Sequence, residues 1–66
     1  MLELFKTVRR LQDDLLARHP DAVITRVDIG YYRSEVDLFD CETGVTQRWV
    51  LTATLGRYQA YLERSW

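Results

Sequence analysis

From Glu3 to Arg18, the residues Leu4, Val8, Leu11 and Leu15 recur at steps of four, three and four, with Phe5 and Leu16 widening the stripe. That spacing places apolar side chains along one side of an α-helix. Pro20 disfavours the α conformation at His19, so the helix has to stop there. Arg18 and His19 put positive charge at its negative end, which suits termination. The opposite side carries Lys6, Arg9, Arg10, Asp13, Asp14 and Arg18. Their i,i+4 pairs add only tenths of a kcal/mol and read as a solvated surface. In a chain of 66 residues, whatever follows must cover that apolar stripe.

After a turn at Pro20-Asp21, Ala22 to Ile29 alternates, with Val23, Val27 and Ile29 on one side and Arg26 and Asp28 on the other. This is the pattern of a half-buried strand. Gly30-Tyr31-Tyr32-Arg33-Ser34 interrupts the alternation and predicts a tight connection or bulge. A second strand follows over Glu35 to Phe39, with Val36 and Leu38 facing in. Asp40-Cys41-Glu42-Thr43-Gly44 is a hairpin signal, since Asp caps a turn through its side chain and Gly takes positive φ at the exit. The third strand runs from Val45 to Ala53, with Val45, Trp49, Leu51 and Ala53 on one face.

Thr54 is a fair N-cap, and Leu55, Tyr58, Leu62 and Trp66 return at steps of three, four and four. That spacing predicts a second helix, weakened near its start by Gly56. The expected fold is therefore one α+β domain over residues 1–66, a helix, a three-stranded antiparallel meander and a helix (αβββα). Both helices should pack on the Val23, Val27, Ile29, Val36, Leu38, Trp49 and Leu51 face. A chain this short buries only about 60% of its unfolded surface, so help from a partner or a second copy is expected.

Charge and composition exclude several classes. Nine basic against ten acidic residues and a pI near 5.7 remove the general attraction to phosphate backbones. One cysteine, Cys41, rules out an intramolecular disulfide and, between Asp40 and Glu42, reads as a quiet surface thiol. The opening Met1 to Lys6 carries neither a basic leader nor a long apolar run, so a cytoplasmic location with no membrane contact is expected. Catalysis needs a nucleophile, a base and an orienting group in one cleft, yet the only histidine, His19, has no evident partner. Structural zinc lacks ligands, and Asp37, Asp40 and Glu42 do not follow a calcium-loop spacing. Gly30, Gly44 and Gly56 stand apart, so no phosphate cradle exists. The expectation is no enzyme, no metal and no cofactor.

Two surfaces stand out as protein-contact candidates. Tyr31, Tyr32 and Arg33 combine broad area with directional hydrogen bonds at a projecting connection. Phe39 and Val50 are expected to break the outward charge mosaic as a small exposed apolar patch. Trp66, near the C-terminal end, is a third candidate for reaching a second subunit. Arg26, Asp28, Arg33, Glu35, Asp37 and Arg48 share the outward sheet face with three charges of each sign, which predicts cross-strand ion pairs. The arginines that would serve a nucleic-acid binder are Arg26, Arg33, Arg48 and Arg57.

The element order over the whole chain is similar to that of the double-stranded RNA-binding domain. The resemblance implies phosphate contacts from a Lys-rich start of the second helix and from a Gly-Pro loop with a His. Here those places read Leu55-Gly56-Arg57-Tyr58 and Gly30-Tyr31-Tyr32-Arg33, which removes them. Small phage and mobile-element inhibitors, including anti-CRISPR proteins, are similar in size and likewise lack catalytic motifs. The expected function is a regulator, inhibitor or small subunit that binds and occludes a partner protein. The alternatives are a nucleic-acid-binding domain and a homo-oligomeric structural unit, a homodimer held through an edge strand or the Phe39 and Val50 patch.

Overall fold

The computed structural model describes the backbone of residues 2–66 and the side chains of residues 6–66. One helix, α1 (Leu2–Arg18), precedes four strands, β1 (Ala22–Asp28), β2 (Arg33–Asp40), β3 (Val45–Thr54) and β4 (Arg57–Ser65). The strands form one antiparallel meander in the order β1-β2-β3-β4. The expected second helix is absent, and its place is taken by β4. This overturns the αβββα arrangement and with it the element order shared with the double-stranded RNA-binding domain. The physical reason is local: Thr54, Leu55, Gly56 and Arg57 make a two-residue hairpin turn. Leu55 has a φ of 52° and Gly56 a φ of 74°. Positive φ at both central residues is what a type I′ turn requires. Beyond it, Tyr58, Ala60 and Leu62 alternate with Gln59 and Tyr61, and pairing with β3 selects that period of two over the helical spacing.

Helix α1 ends as its sequence dictates. The His19 amide donates to the Leu15 carbonyl, and the Ala22 amide donates to the His19 carbonyl to turn the chain into β1. Val8 and Leu15 from α1, with Ala22, Val36, Leu38 and Leu51 from the sheet, form the buried core, flanked by Leu11, Ile24 and Trp49. Leu4 and Phe5 of the expected stripe lie outside the described side chains.

A bulge in β1 decides which of its residues reach this core. The β1–β2 register slips between Ile24 and Arg26, leaving Thr25 as the extra residue. Ala22 and Ile24 therefore share the helix-facing side with Val27, whereas Val23, opposite Phe39, is turned to the outer face. Val23, Val27 and Ile29 are all substantially exposed, so the core expected from simple alternation is not the one that forms. On β2 and β3 the alternation holds: Val36, Leu38 and Leu51 are buried, and Trp49 packs beside them. A second slip, at Glu63 on β4, brings Arg64 opposite Arg48. The β2–β3 hairpin matches its sequence signal. Asp40 Oδ1 accepts from the Glu42 and Thr43 amides, and Gly44 takes a φ of 73°.

Candidate protein-contact surface

The outer face of the sheet is a web of ion pairs crossing all four strands. Arg48 of β3 donates through Nε and Nη2 to both carboxylate oxygens of Asp37 on β2, at 2.9 and 3.0 Å. This is the bidentate fit that a guanidinium favours. Arg26 of β1 donates to Glu35 at 2.9 Å and to Asp28 at 3.1 Å. Arg33 of β2 donates to Glu35 at 3.2 Å, and reaches past β3 to Glu63 and the Tyr61 hydroxyl on β4. The Arg48 guanidinium holds the nearly buried Asp37 carboxyl below the usual carboxylate range, partly opposed by burial. Arg26 and then Arg33 lower Glu35 in the same way. The carboxylates raise Arg33 and Arg48 in return, Glu63 and then Glu35 acting on Arg33 and Asp37 on Arg48.

This web settles the place of several candidate residues. Val50, between Glu35 on β2 and Tyr61 on β4, is fully buried beneath it. Phe39 lies opposite Thr46 and is only partly exposed. With Val50 buried and Phe39 half-buried, the exposed Phe39 and Val50 patch expected from the sequence does not form. Trp66 joins the sheet through paired main-chain bonds with Thr46. The Arg48 and Arg64 guanidinium carbons lie 5.2 and 4.8 Å from the centroid of its ring. Arg26, Arg33 and Arg48 are each bonded to carboxylates, and among the described residues only Arg57 of that group has no ion-pair partner.

The two ends of the sheet differ sharply. At one, the β2–β3 turn presents Cys41, Glu42 and Thr43. At the other, the β1–β2 connection and the β3–β4 turn lie together, tied by the Ala53 amide donating to the Tyr32 carbonyl at 3.0 Å. That end exposes Tyr31 (79%), Tyr32 (78%) and Leu55 (97%), the three most exposed large apolar side chains among the described residues. The ring centroids of Tyr31 and Tyr32 are 6.1 Å apart and their planes are tilted by 46°. The rings thus stand side by side without stacking flat.

The base of this connection is built firmly. The Gly30 amide donates to Oγ of the buried Ser34, and a Cβ at residue 30 would lie 2.5 Å from the Arg33 carbonyl oxygen. Glycine is therefore required by close packing, and the tyrosines project from a fixed platform. Of the three most exposed large apolar side chains, Tyr31 and Tyr32 are singled out by the sequence, whereas Leu55 is assigned by it to a helix face. The Leu55-Gly56 pair was the available signal, obscured because Leu stands where Asn or Gly is usual.

Beside the same end, Lys6, Thr7 and Arg10 of α1 and Tyr58 of β4 line a groove of about 310 Å³. No helix of the described residues is long and apolar enough to cross a membrane. No protein-family model matches this chain, and no curated protein or solved structure is significantly similar to it.

Proposed function

We propose that this chain is a non-enzymatic protein-interaction module that contacts its partner through the sheet end carrying Tyr31, Tyr32 and Leu55. The observation that carries the reading is Leu55. A leucine in the left-handed region costs about 1 kcal/mol that Asn or Gly in the same turn would not. Full exposure means that it recovers nothing by burial within the chain. A strained, solvent-exposed apolar side chain next to two exposed tyrosines fits a surface completed by another macromolecule. Acting by occupying a partner's surface, as a regulator, inhibitor or small subunit, follows from a contact surface without an acid–base constellation.

The nucleic-acid reading is disfavoured because three of its four arginines already neutralise carboxylates of the same face. The test is comparative capture from host lysate with the unaltered chain, a Tyr31→Ala/Tyr32→Ala/Leu55→Asn variant, and a Glu42→Ala/Thr43→Ala variant at the opposite end. Proteins retained by the first and third but lost with the second support the proposal, provided all three unfold at comparable temperatures. Identical recovery with all three discards it.

A further inference from the structure

Strand β4 is an edge strand, and its free side is regular over 57–62, before the bulge at Glu63. The direction of its main-chain groups follows from the β3–β4 ladder. Thr46 and Trp66 exchange both bonds, so by alternation Val50–Tyr61, Thr52–Gln59 and Thr54–Arg57 are also bonded pairs. The N–H and C=O groups of Tyr58, Ala60 and Leu62 therefore point away from β3, with no strand beside them among the described residues. The same three residues face the helix side of the sheet. There α1 packs chiefly on β1 and β2, and Tyr58 and Leu62 remain about two-fifths exposed. The other edge, β1, is broken by the bulge at Thr25 and offers no comparable run.

We infer that β4 pairs antiparallel with β4 of a second copy of this chain, centred on Ala60, to give a two-fold dimer with a continuous eight-stranded sheet. The register is set by the chain itself. Centred on Ala60, Tyr58 meets Leu62 of the second copy, Ala60 meets Ala60, and Leu62 meets Tyr58, so all three outward positions of each strand exchange both bonds. Shifting the centre to Tyr61 sets Tyr58 against Arg64, whose main-chain groups are turned inward, and leaves two bonded pairs, Ala60 with Leu62 and its symmetry mate, in place of three. On the outer face, the Ala60-centred register brings Arg57 towards Glu63 of the second copy, the carboxylate at the bulge that Arg33 already binds within its own chain, so each Glu63 would lie between two guanidinium groups. On the helix side it joins two half-exposed Tyr58-Ala60-Leu62 strips into one apolar surface. Charge, apolar contact and main-chain bonding thus favour the same register, and this interface is separate from the Tyr31, Tyr32 and Leu55 end.

Light scattering and sedimentation over a concentration series up to about 1 mM should show a monomer converting to a dimer and to nothing larger. In a Cys41→Ser background, Ala60→Cys should form a disulfide-linked dimer in glutathione buffer. The Cα atoms would lie about 5.5 Å apart across the dyad, within disulfide reach. Thr43→Cys, at the far end, should stay monomeric. Leu62→Lys, at an already exposed position, should weaken the dimer about tenfold or more. Arg57→Glu, which would set two carboxylates against each other across the dyad, should weaken it severalfold. A monomer at every concentration overturns the proposal. So does a dimer indifferent to Leu62→Lys that leaves the Ala60→Cys variant unlinked.

Discussion

Leu55 occupies a backbone conformation that Asn adopts with little strain. Leu55→Asn should raise stability by about 1 kcal/mol, visible as a higher denaturant midpoint with unchanged slope, while weakening partner capture. A residue kept for folding alone would not show that opposition of stability and binding. Gly30 behaves in reverse, because an added methyl group would collide with the Arg33 carbonyl and loosen the platform beneath Tyr31 and Tyr32. Gly30→Ala should therefore cost about 2 kcal/mol, in the range of an overpacked site. Thermal unfolding measures that cost directly. Asp37 is nearly buried and gripped at both oxygens by Arg48. Asp37→Ala should destabilise by about 2 kcal/mol, chiefly through loss of the two charge-assisted bonds that the nearly buried carboxylate accepts. Chemical denaturation of the variant beside Arg48→Ala and the double variant would isolate the pair's coupling.

Among the elements, α1, β2 and the Asp40–Gly44 turn were legible because each rests on one unambiguous physical rule. Apolar spacing with a proline stop marks α1, Val36 and Leu38 alternate in β2, and an Asp cap precedes a positive-φ Gly in the turn. Strand β4 was not, because Tyr58 and Leu62 sit four apart and satisfy both a helical stripe and, through Ala60, a strand face. The decision was made by the β3 edge, which offers nine residues a ladder that a frayed, glycine-started helix cannot match. Strand β1 was found but its facing was not. Nothing in the side chains announces that Thr25 is an extra residue, and one inserted residue sends Val23 to the opposite face. The exposed end was half legible for the same reason: Tyr31 and Tyr32 announce themselves in a loop, whereas Leu55 joins them only once β4 is a strand. Interstrand Hα–Hα contacts between Leu51 and Ala60 and between Ala53 and Tyr58 should appear in nuclear Overhauser spectra. A helical i,i+3 pattern over 57–65 would contradict this arrangement.

At the scale of the whole molecule, α1 covers one side of the sheet and salt bridges cover the other, so the outer layer ties stability to pH. Asp37 and Glu35 have carboxyl groups held below their ordinary values. The unfolded chain therefore binds more protons than the folded one as pH falls. Their stabilisation is complete well above the ordinary carboxylate values of about 4 and is lost as pH drops below them, through the lowered folded-state values. Urea midpoints measured from neutral pH downward should be flat until that range and then fall, with a shallower decline in Asp37→Asn. The most exposed large apolar side chains among the described residues stand at the end bearing Tyr31, Tyr32 and Leu55, with partly exposed ones along both edge strands, Tyr58 and Leu62 on β4 and Val23 and Val27 on β1. The central claim is that this end meets the partner, and site-specific photo-cross-linking in the host tests it most directly. A photoreactive side chain at Tyr31, Tyr32 or Leu55 should link to one and the same protein, and the same group at Thr43 should not. Cross-links from Thr43 alone, or equal yields from all four positions, would contradict it.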